Sequence, residues 1–321
     1  MGLEPLPDLP DKAQRAVLSL SGGGFAGLFA ACVLERLEAD LGPLGRIFDL
    51  FAGTSVGGLL ALGLASGKPA AELRTTIESL GPDVFPRRLR LGFLAPKHDP
   101  GPLAAALTGL FGDMTLGAIE GRALVPAVDL NAAETVVFRS YRVEHAERRI
   151  VDVALATSAA PLFLAAQRAD DRVYVDGGLA ANSPEAIAAI EAMQGLAWGA
   201  ERIQLLSIGA TRAPARIPGY LDAGRWGLRG WLKQERLVKV AMAAQMTLAR
   251  QTCLALLGPD RVAPIDVELS AEEAKVVGLD KADDKAIKTL RTLAAGAYDR
   301  FRSERAVVYQ YLQRRASRSG E

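Results

Sequence analysis

The 321-residue sequence has few histidines, few cysteines and almost no net charge. The only histidines are His98 and His145, and the only cysteines are Cys32 and Cys253. Two cysteines cannot build a disulfide scaffold, so we expect reduced thiols in a cytosolic protein. Lysine and arginine number 38 and aspartate and glutamate 37, so the charge balance does not indicate a nucleic-acid polymer as partner. No histidines or cysteines have the spacing of a metal site, and we predict neither a metal nor a cofactor.

The sequence also lacks an export signal. Its first ten residues are acidic and contain three prolines, where a signal peptide would have a basic segment followed by an apolar run. The longest charge-free stretch, residues 50–67, is just long enough to span a membrane, but its glycines, serines and threonine favour a buried strand, turn and helix. We therefore expect a cytoplasmic protein.

Short apolar strands alternate with helices along the chain. Strands are predicted at 16–20, 48–52, 124–129, 135–140, 172–175 and 203–208, and helices at 26–40, 56–65, 69–80, 151–159, 184–193, 232–257 and 286–311. This alternation predicts an α/β protein with a mainly parallel sheet covered by helices on both faces. We divide the chain into an N-terminal arm at 1–15, a core at 16–210 with an irregular excursion at 81–112, and a helical C-terminal part at 211–321 packed on the core.

A glycine-rich loop follows the first strand and opens the first helix. Its pattern, Gly22-x-Gly24-x-x-Gly27, matches the dinucleotide-binding fingerprint, so a nucleotide-binding oxidoreductase is one candidate. That fingerprint requires an acidic residue at the end of the next strand, and neither Asp40 nor Asp49 has that position. Backbone N–H groups in such a loop stabilise either a phosphate or the oxyanion of an acyl-transfer intermediate.

A second motif, Gly53-Thr54-Ser55-Val56-Gly57, lies between an apolar strand and an apolar helix. This G-x-S-x-G pattern is typical of a nucleophile elbow, in which the glycines permit a sharp turn that exposes the serine hydroxyl at the strand's carboxyl end. A helix start built from small residues would leave the same pattern.

A nucleophilic serine needs a base. Neither His98 nor His145 lies where the α/β-hydrolase order requires a histidine, which is after the acidic residue. Asp176, at the end of a predicted strand and followed by Gly177 and Gly178, is a carboxylate that can accept the serine proton directly. In a parallel sheet it would lie at the same carboxyl edge as Ser55.

These motifs together resemble the patatin-like phospholipases in order and spacing, over residues 16–210. The matching segments are Ser21-Gly22-Gly23-Gly24-Phe25-Ala26-Gly27, Gly53-Thr54-Ser55-Val56-Gly57 and Asp176-Gly177-Gly178, with supporting matches in Ala156-Thr157-Ser158-Ala159-Ala160-Pro161 and Asn182-Ser183-Pro184. The resemblance implies a three-layer α/β/α fold and a cofactor-free serine acyl hydrolase that cleaves membrane phospholipid esters.

The resemblance also implies roles for individual residues. Ser55 resembles the nucleophile and Asp176 its base, and the N–H groups of Gly22, Gly23 and Gly24 resemble the oxyanion hole. The chain departs from the family where Ala26 replaces the usual arginine or lysine and Ser21 a frequent aspartate. The missing cation weakens oxyanion stabilisation unless backbone donors suffice or a remote arginine replaces it. Because of this departure, a non-catalytic, ligand-gated scaffold is a further alternative.

The excursion offers a candidate membrane contact in which apolar side chains alternate with arginines. A surface loop that packs its own aromatic residues is the alternative. The residues concerned are Phe85, Arg87, Arg88, Phe93 and Leu94.

The C-terminal part begins with a basic, tryptophan-containing segment that could hold a phosphate-bearing base, or else be a solvated basic face with its tryptophans in the core. The candidate nucleotide-binding residues are Arg225, Trp226, Arg229, Trp231 and Lys233. The loop at 21–29 and this helical tail resemble the cyclic-dinucleotide-activated phospholipase effectors of bacterial antiphage signalling (CBASS). This resemblance implies a cyclic dinucleotide as activator and peripheral contact with the inner membrane in the active state, and a homo-oligomer is an open alternative.

Overall fold

The structure is a computed structural model. It describes residues 14–86, 95–212, 224, 227, 230–231 and 236–319.

The described strands form one eight-stranded sheet. They are β1 (Arg15–Leu20), β2 (Leu50–Gly53), β3 (Ala123–Asp129), β4 (Glu134–Arg139), β5 (Gln167–Ala169), β6 (Arg172–Asp176), β7 (Ile203–Arg212) and β8 (Val262–Glu268).

The described helices cover both faces of that sheet. They are α1 (Leu28–Leu41), α2 (Leu44–Ile47), α3 (Val56–Ala65), α4 (Ala70–Val84), α5 (Gly101–Phe111), α6 (Ile150–Ser158), α7 (Gly178–Ala181), α8 (Glu185–Ile190), α9 (Arg236–Leu257), α10 (Glu273–Val276), α11 (Asp284–Glu304) and α12 (Ala306–Ser319). A 3₁₀ helix at Gly24–Gly27 precedes α1, and a π-helix at Glu191–Gly195 follows α8.

Alternating strand residues feed two separate cores, because successive side chains of a strand point to opposite faces. Leu18 of β1 packs in the core beneath α1, α3, α4, α5, α6, α11 and α12. Its neighbour Val17 packs on the opposite face with residues of α8 and α9. The predicted three-layer α/β/α fold is therefore confirmed.

The sheet is parallel on one side and antiparallel on the other. Strands β8, β7, β1, β2 and β3 lie side by side and run parallel. Strands β4 and β6 run antiparallel to β3, and β5 runs antiparallel to β6.

Two strands share one edge of β3. Leu124 pairs with Ala52 of β2 and, on its other edge, with β4. Ala127 also pairs with β4, and its other partner is Asp176 of β6. Strands β2 and β6 therefore lie end to end along the same edge of β3. Because β6 is antiparallel to β3 and β2 is parallel to it, their carboxyl ends face each other.

Two boundaries predicted from the sequence are wrong. The excursion at 81–112 is not irregular throughout, because α4 extends to Val84 and α5 occupies Gly101–Phe111. Leu103, Leu107 and Phe111 recur every four residues and are buried on one face of α5, and Pro102 is tolerated in the helix's first turn.

The C-terminal part is not purely helical, because β8 extends the sheet beside β7. The sequence did not predict this strand, because Pro264 is a residue that argues against a strand inside a sheet. Pro264 is tolerated because β8 is the last strand on its side of the sheet.

Helix α9 is, within the described residues, the one helix long and apolar enough to cross a membrane by length and composition alone. Its most apolar 18 residues have a mean hydropathy of 1.2, and 11% of that stretch is buried. A single such helix is weak evidence of a span. It packs against α7, α8 and β8.

A buried ion pair ties α9 to the core. Glu185, at the start of α8, is only 1% exposed, and both its oxygens accept hydrogen bonds from Arg250 Nε at 3.0 and 2.9 Å. Arg250 also donates to the Ser207 hydroxyl and lies 3.8 Å from Asp266. One side chain of α9 thus contacts α8, β7 and β8.

We expect Arg250→Met to destabilise the protein by about 3 kcal/mol, because it leaves the Glu185 carboxylate buried without its partner. The double variant Glu185→Gln/Arg250→Met should recover most of that loss. Urea denaturation of the wild type, both single variants and the double variant measures this coupling. Additive effects of the two substitutions would contradict it.

Candidate active site

The loop between β2 and α3 forms a sharp turn at Ser55. Its φ of 55° and ψ of −128° lie where side-chain-bearing residues are strained, and the residue is 8% exposed. The turn brings backbones very close together. A Cβ on Gly53 would lie 2.0 Å from the Gly57 carbonyl oxygen, and one on Gly57 would lie 2.3 Å from the Leu20 carbonyl oxygen. Both predicted motif glycines are therefore required by packing.

Thr157 fixes this turn, a role that the sequence analysis did not assign. The Ser55 backbone N–H donates to Thr157 Oγ1 at 3.0 Å, and the Thr157 hydroxyl donates to the Pro126 carbonyl at 2.7 Å. The turn at Ser55 is thereby anchored to β3. The supporting motif at 156–161 was the signal that could have identified this residue.

Asp176 faces Ser55 because β2 and β6 meet end to end. Ala52 pairs with Leu124, and Asp176 pairs with Ala127. When the register of the Ala52–Leu124 pair is extended by three residues, Ser55 lies level with Ala127, the residue that pairs with Asp176. The proximity was predicted from parallel strands that end at one edge of the sheet. That reason is wrong, since β6 is antiparallel to β3.

Burial controls the charge of this carboxyl. Desolvation raises the pKa of Asp176 from its ordinary value of 3.8 to about 6, against the lowering effect of hydrogen bonds from the Gly178 N–H and the Ser55 side chain. The Gly178 N–H lies 2.6 Å from Asp176 Oδ1. At neutral pH the carboxyl is ionised yet basic enough to accept the serine proton.

The glycine loop lies beside Ser55, but its three N–H groups differ. The Gly22 N–H donates to the Asn182 carbonyl at 2.8 Å, so the predicted use of Gly22 as a free oxyanion donor is wrong. The N–H groups of Gly23 and Gly24 have no acceptor among the described residues, and both glycines line the same cavity as Ser55. These two donors are placed for an anion beside the Ser55 hydroxyl.

The loop is held from two sides. Asn182 is buried, and its Nδ2 donates to the Gly22 carbonyl at 3.3 Å. From the C-terminal part, the Leu279 carbonyl accepts the Phe25 N–H at 2.8 Å. Gly24 has a φ of +53°, and a Cβ there would lie 2.3 Å from the Leu279 oxygen. The conformation of the glycine loop thus depends on a residue 255 positions away.

Ser55 and Asp176 lie in an apolar cavity of about 160 Å³. Among the described residues its lining contains no lysine or arginine, so none of them takes the place of the family's cation there. Ala26 itself is buried at 5% exposure. Its apolar walls are formed by Phe25, Val56, Leu59, Ile77, Leu80, Val84, Phe85, Leu103, Ala160, Pro161, Leu162, Phe163, Leu164, Leu179, Val238, Met242 and Leu279. A cavity of this kind suits an acyl chain.

The remaining predicted site residues are the other motif glycines and the candidate membrane and nucleotide contacts. Gly178 lines the cavity, whereas Gly27 packs against Val56 and Gly177 against the Pro126 carbonyl. Trp231 is half-buried, and its backbone N–H donates to the Gly227 carbonyl at 3.2 Å. The remaining predicted membrane and nucleotide contacts lie outside the described residues; they are Arg87, Arg88, Phe93, Leu94, Arg225, Trp226, Arg229 and Lys233.

Neither histidine lines the cavity. His145 Nδ1 accepts the Arg139 N–H, and His98 packs edge-on against Phe85 with ring centroids 5.2 Å apart. Within the described part of the chain, no three histidine, cysteine, aspartate or glutamate residues are grouped so that they could hold a metal ion.

Comparison with known proteins gives consistent matches. The family model described as "Patatin-like phospholipase" matches residues 18–189, which contain both Ser55 and Asp176. The chain is 38% identical to a protein of Pseudomonas aeruginosa named "cGAMP-activated phospholipase", over 86% of this chain and 85% of that protein.

Proteins of the same name in Escherichia coli and Vibrio cholerae are each 31% identical to it. The matches cover 87% of this chain and 87% of the E. coli protein, and 89% of this chain and 92% of the V. cholerae protein. These matches support an ester hydrolase over a dinucleotide-binding oxidoreductase. The chain belongs to the patatin-like phospholipase family.

Proposed function

We propose that Ser55 and Asp176 form the catalytic dyad of this phospholipase and that the Gly23 and Gly24 N–H groups form its oxyanion hole. The observation that carries the proposal is that the Ser55 side chain lies close enough to the buried Asp176 carboxyl to lower its pKa, and that both residues line one apolar cavity. The substrate class is the acyl ester of a membrane phospholipid.

The reaction follows from this arrangement. Asp176 accepts the Ser55 proton as Oγ attacks the ester carbonyl, and the oxyanion that forms is stabilised by the two glycine N–H groups. The intermediate collapses to an acyl-serine, and Asp176 returns its proton to the departing alcohol. Asp176 then deprotonates a water molecule, which attacks the acyl-serine and releases the fatty acid, while the proton returns to Ser55.

Phe85 contributes to acyl-chain binding in this proposal, rather than to the membrane contact that its sequence context indicated. Its ring is half-buried, lines the cavity and packs against His98. An acyl chain entering the cavity would contact this ring.

We further propose that cGAMP activates the enzyme. Three relatives that match most of this chain have the name "cGAMP-activated phospholipase". The candidate contacts remain the arginines, lysine and tryptophans at 225–233, where cations and indole rings suit phosphates and bases.

The dyad predicts that Ser55→Ala and Asp176→Asn each lower phospholipid hydrolysis roughly a thousandfold or more, since each removes one partner of the proton transfer. Release of fatty acid from phospholipid vesicles, with and without cGAMP, measures the loss. Ser66→Ala is the matched control, because that hydroxyl donates to the Leu62 carbonyl at the end of α3. Full activity of Ser55→Ala would refute the dyad, and equal wild-type rates with and without cGAMP would refute activation.

The pKa of Asp176 predicts the pH dependence of the reaction. Because the base must be ionised, kcat/KM should rise with pH through a midpoint near pH 6 and level off above it. Rates on a water-soluble short-chain ester between pH 4.5 and 8 test this. A profile that is flat over this range contradicts Asp176 as the base.

The same shift predicts an effect on stability. Between pH 3.8 and about 6 the folded protein keeps a proton on Asp176 that the unfolded chain releases, so this group's contribution to stability falls as pH rises through that window. Asp176→Asn removes this penalty. We expect its stability relative to wild type to improve by up to about 3 kcal/mol between pH 4 and pH 8. Urea denaturation at both pH values provides the measurement, and an unchanged difference would count against a buried ionised carboxylate.

A further inference from the structure

Helix α7 has only four residues, yet it contacts two parts of the active site. At its start, the Gly178 N–H donates to Asp176 Oδ1 at 2.6 Å. At its end, the Ala181 carbonyl accepts a hydrogen bond from the Thr54 hydroxyl at 2.7 Å, and Thr54 immediately precedes Ser55. The position of α7 therefore affects both the carboxylate and the serine.

The residue after α7 extends these contacts to the glycine loop. The Asn182 carbonyl accepts the Gly22 N–H at 2.8 Å, and Asn182 Nδ2 donates to the Gly22 carbonyl at 3.3 Å. Gly22 directly precedes Gly23 and Gly24, whose N–H groups are the proposed oxyanion donors. A shift of α7 would thus displace the carboxylate, the serine turn and these donors together.

A helix as short as α7 needs support from outside itself. Four residues form too few hydrogen bonds to offset the cost of starting a helix. The Leu179 carbonyl is among the last carbonyls of the helix, which lack a partner within it. Leu179 and Ala180 are also exposed, so α7 has little apolar burial to hold it in place.

Gln245 of α9 supplies this support with one half-buried side chain. Its Nε2 donates to the Leu179 carbonyl at 2.5 Å, and its Oε1 accepts a longer hydrogen bond, of 3.5 Å, from the Asn182 N–H. The next residue, Met246, accepts a hydrogen bond from Asn182 Nδ2 at 3.3 Å. The Gln245 amide thus contacts α7 both in its middle and just after its end.

The second half of α9 is fixed to the core. Arg250, five residues beyond Gln245, is paired with the buried Glu185. Cys253 and Leu257 are buried and pack with residues of α8. Gln245 therefore projects from an anchored helix. It is not among the residues that line the cavity, so it does not contact a substrate bound there.

We propose that Gln245 is a positioning residue for the reaction, which holds α7 so that the Gly178 N–H stays on Asp176 and Asn182 stays on the glycine loop. This inference rests on the proposed function for its chemistry. It adds a residue from outside positions 18–189, the part of the chain that the family model matches. Because Gln245 acts through α7, its loss should impair the geometry of the reaction rather than the binding of the acyl chain.

Gln245→Met tests the proposal, since methionine has about the same length and no amide. With cGAMP present, we expect kcat on a water-soluble short-chain ester to fall about tenfold or more, with KM changed less than about twofold, because misplaced groups slow the chemical step. The pH midpoint of kcat/KM should rise by about half a unit or more, because the Gly178 N–H lowers the pKa of Asp176 less. A smaller folded fraction alone would lower kcat without moving that midpoint.

Gln251→Met is the matched control. Gln251 lies on the same helix and is exposed, so kcat and the pH midpoint should equal those of the wild type. Urea denaturation shows whether Gln245→Met is folded, and Gln245→Ala provides the test if it is not. A wild-type kcat in the folded Gln245 variant would overturn the proposal, and so would a lowered kcat with an unchanged pH midpoint.

A direct titration of Asp176 separates this proposal from the dyad. In protein isotopically labelled at the aspartate carboxyl carbons, the Asp176 signal is the one missing from the NMR spectrum of Asp176→Asn. Its pKa should be higher in Gln245→Met than in the wild type, and an equal pKa in both would refute the positioning role. A wild-type protein that cleaves no ester refutes the dyad, yet this titration needs no catalysis and still decides the role of Gln245.

Discussion

The active site depends on β2 and β6 lying end to end along one edge of β3. The carboxyl ends of the two strands face each other, so the turn after β2 and the last residue of β6 lie in the same gap. Backbone pairing with β3 fixes the level of both, and Thr157 adds a direct link from Ser55 to β3. The distance between hydroxyl and carboxylate is therefore set by strand register rather than by flexible side chains. A pair positioned in this way needs no histidine between its members.

Charge at the site reflects a balance between burial and hydrogen bonding. The apolar walls that suit an acyl chain also remove water from Asp176 and raise its pKa, while the Gly178 N–H and the Ser55 side chain restrain the rise. An arginine beside the carboxylate would lower that pKa and weaken the base. The absence of a cation from the described lining residues therefore favours a basic Asp176. In the proposed mechanism, oxyanion stabilisation is then left to backbone amides.

The sequence predicted the parts of the site that local geometry dictates. Gly53 and Ser55 belong to a turn that few other residues can form, and Asp176 was identified by its place at a strand end next to two glycines. Strand direction, by contrast, depends on distant partners, so the antiparallel course of β6 was missed. Gly22 was wrongly predicted to be an oxyanion donor for the same reason, because its amide has a partner 160 residues away. Strand β8 was missed because its proline is typical of a loop. Helix α5 was missed because its glycines and prolines outweighed its four-residue apolar spacing.

The hydrogen bond from Phe25 to Leu279 has a consequence for modularity. Residues matched by the family model end at 189, yet β7 and β8 complete the sheet beyond that point, and Leu279 supports the glycine loop from further still. The motifs at 21–27, 53–57 and 176–178 thus do not delimit an autonomous unit. Truncation of the chain after residue 189 would remove Leu279, which supports the glycine loop and lines the cavity. A fragment that contains all the motifs would therefore lack part of the site, and a change in the C-terminal part of the chain can alter the site directly.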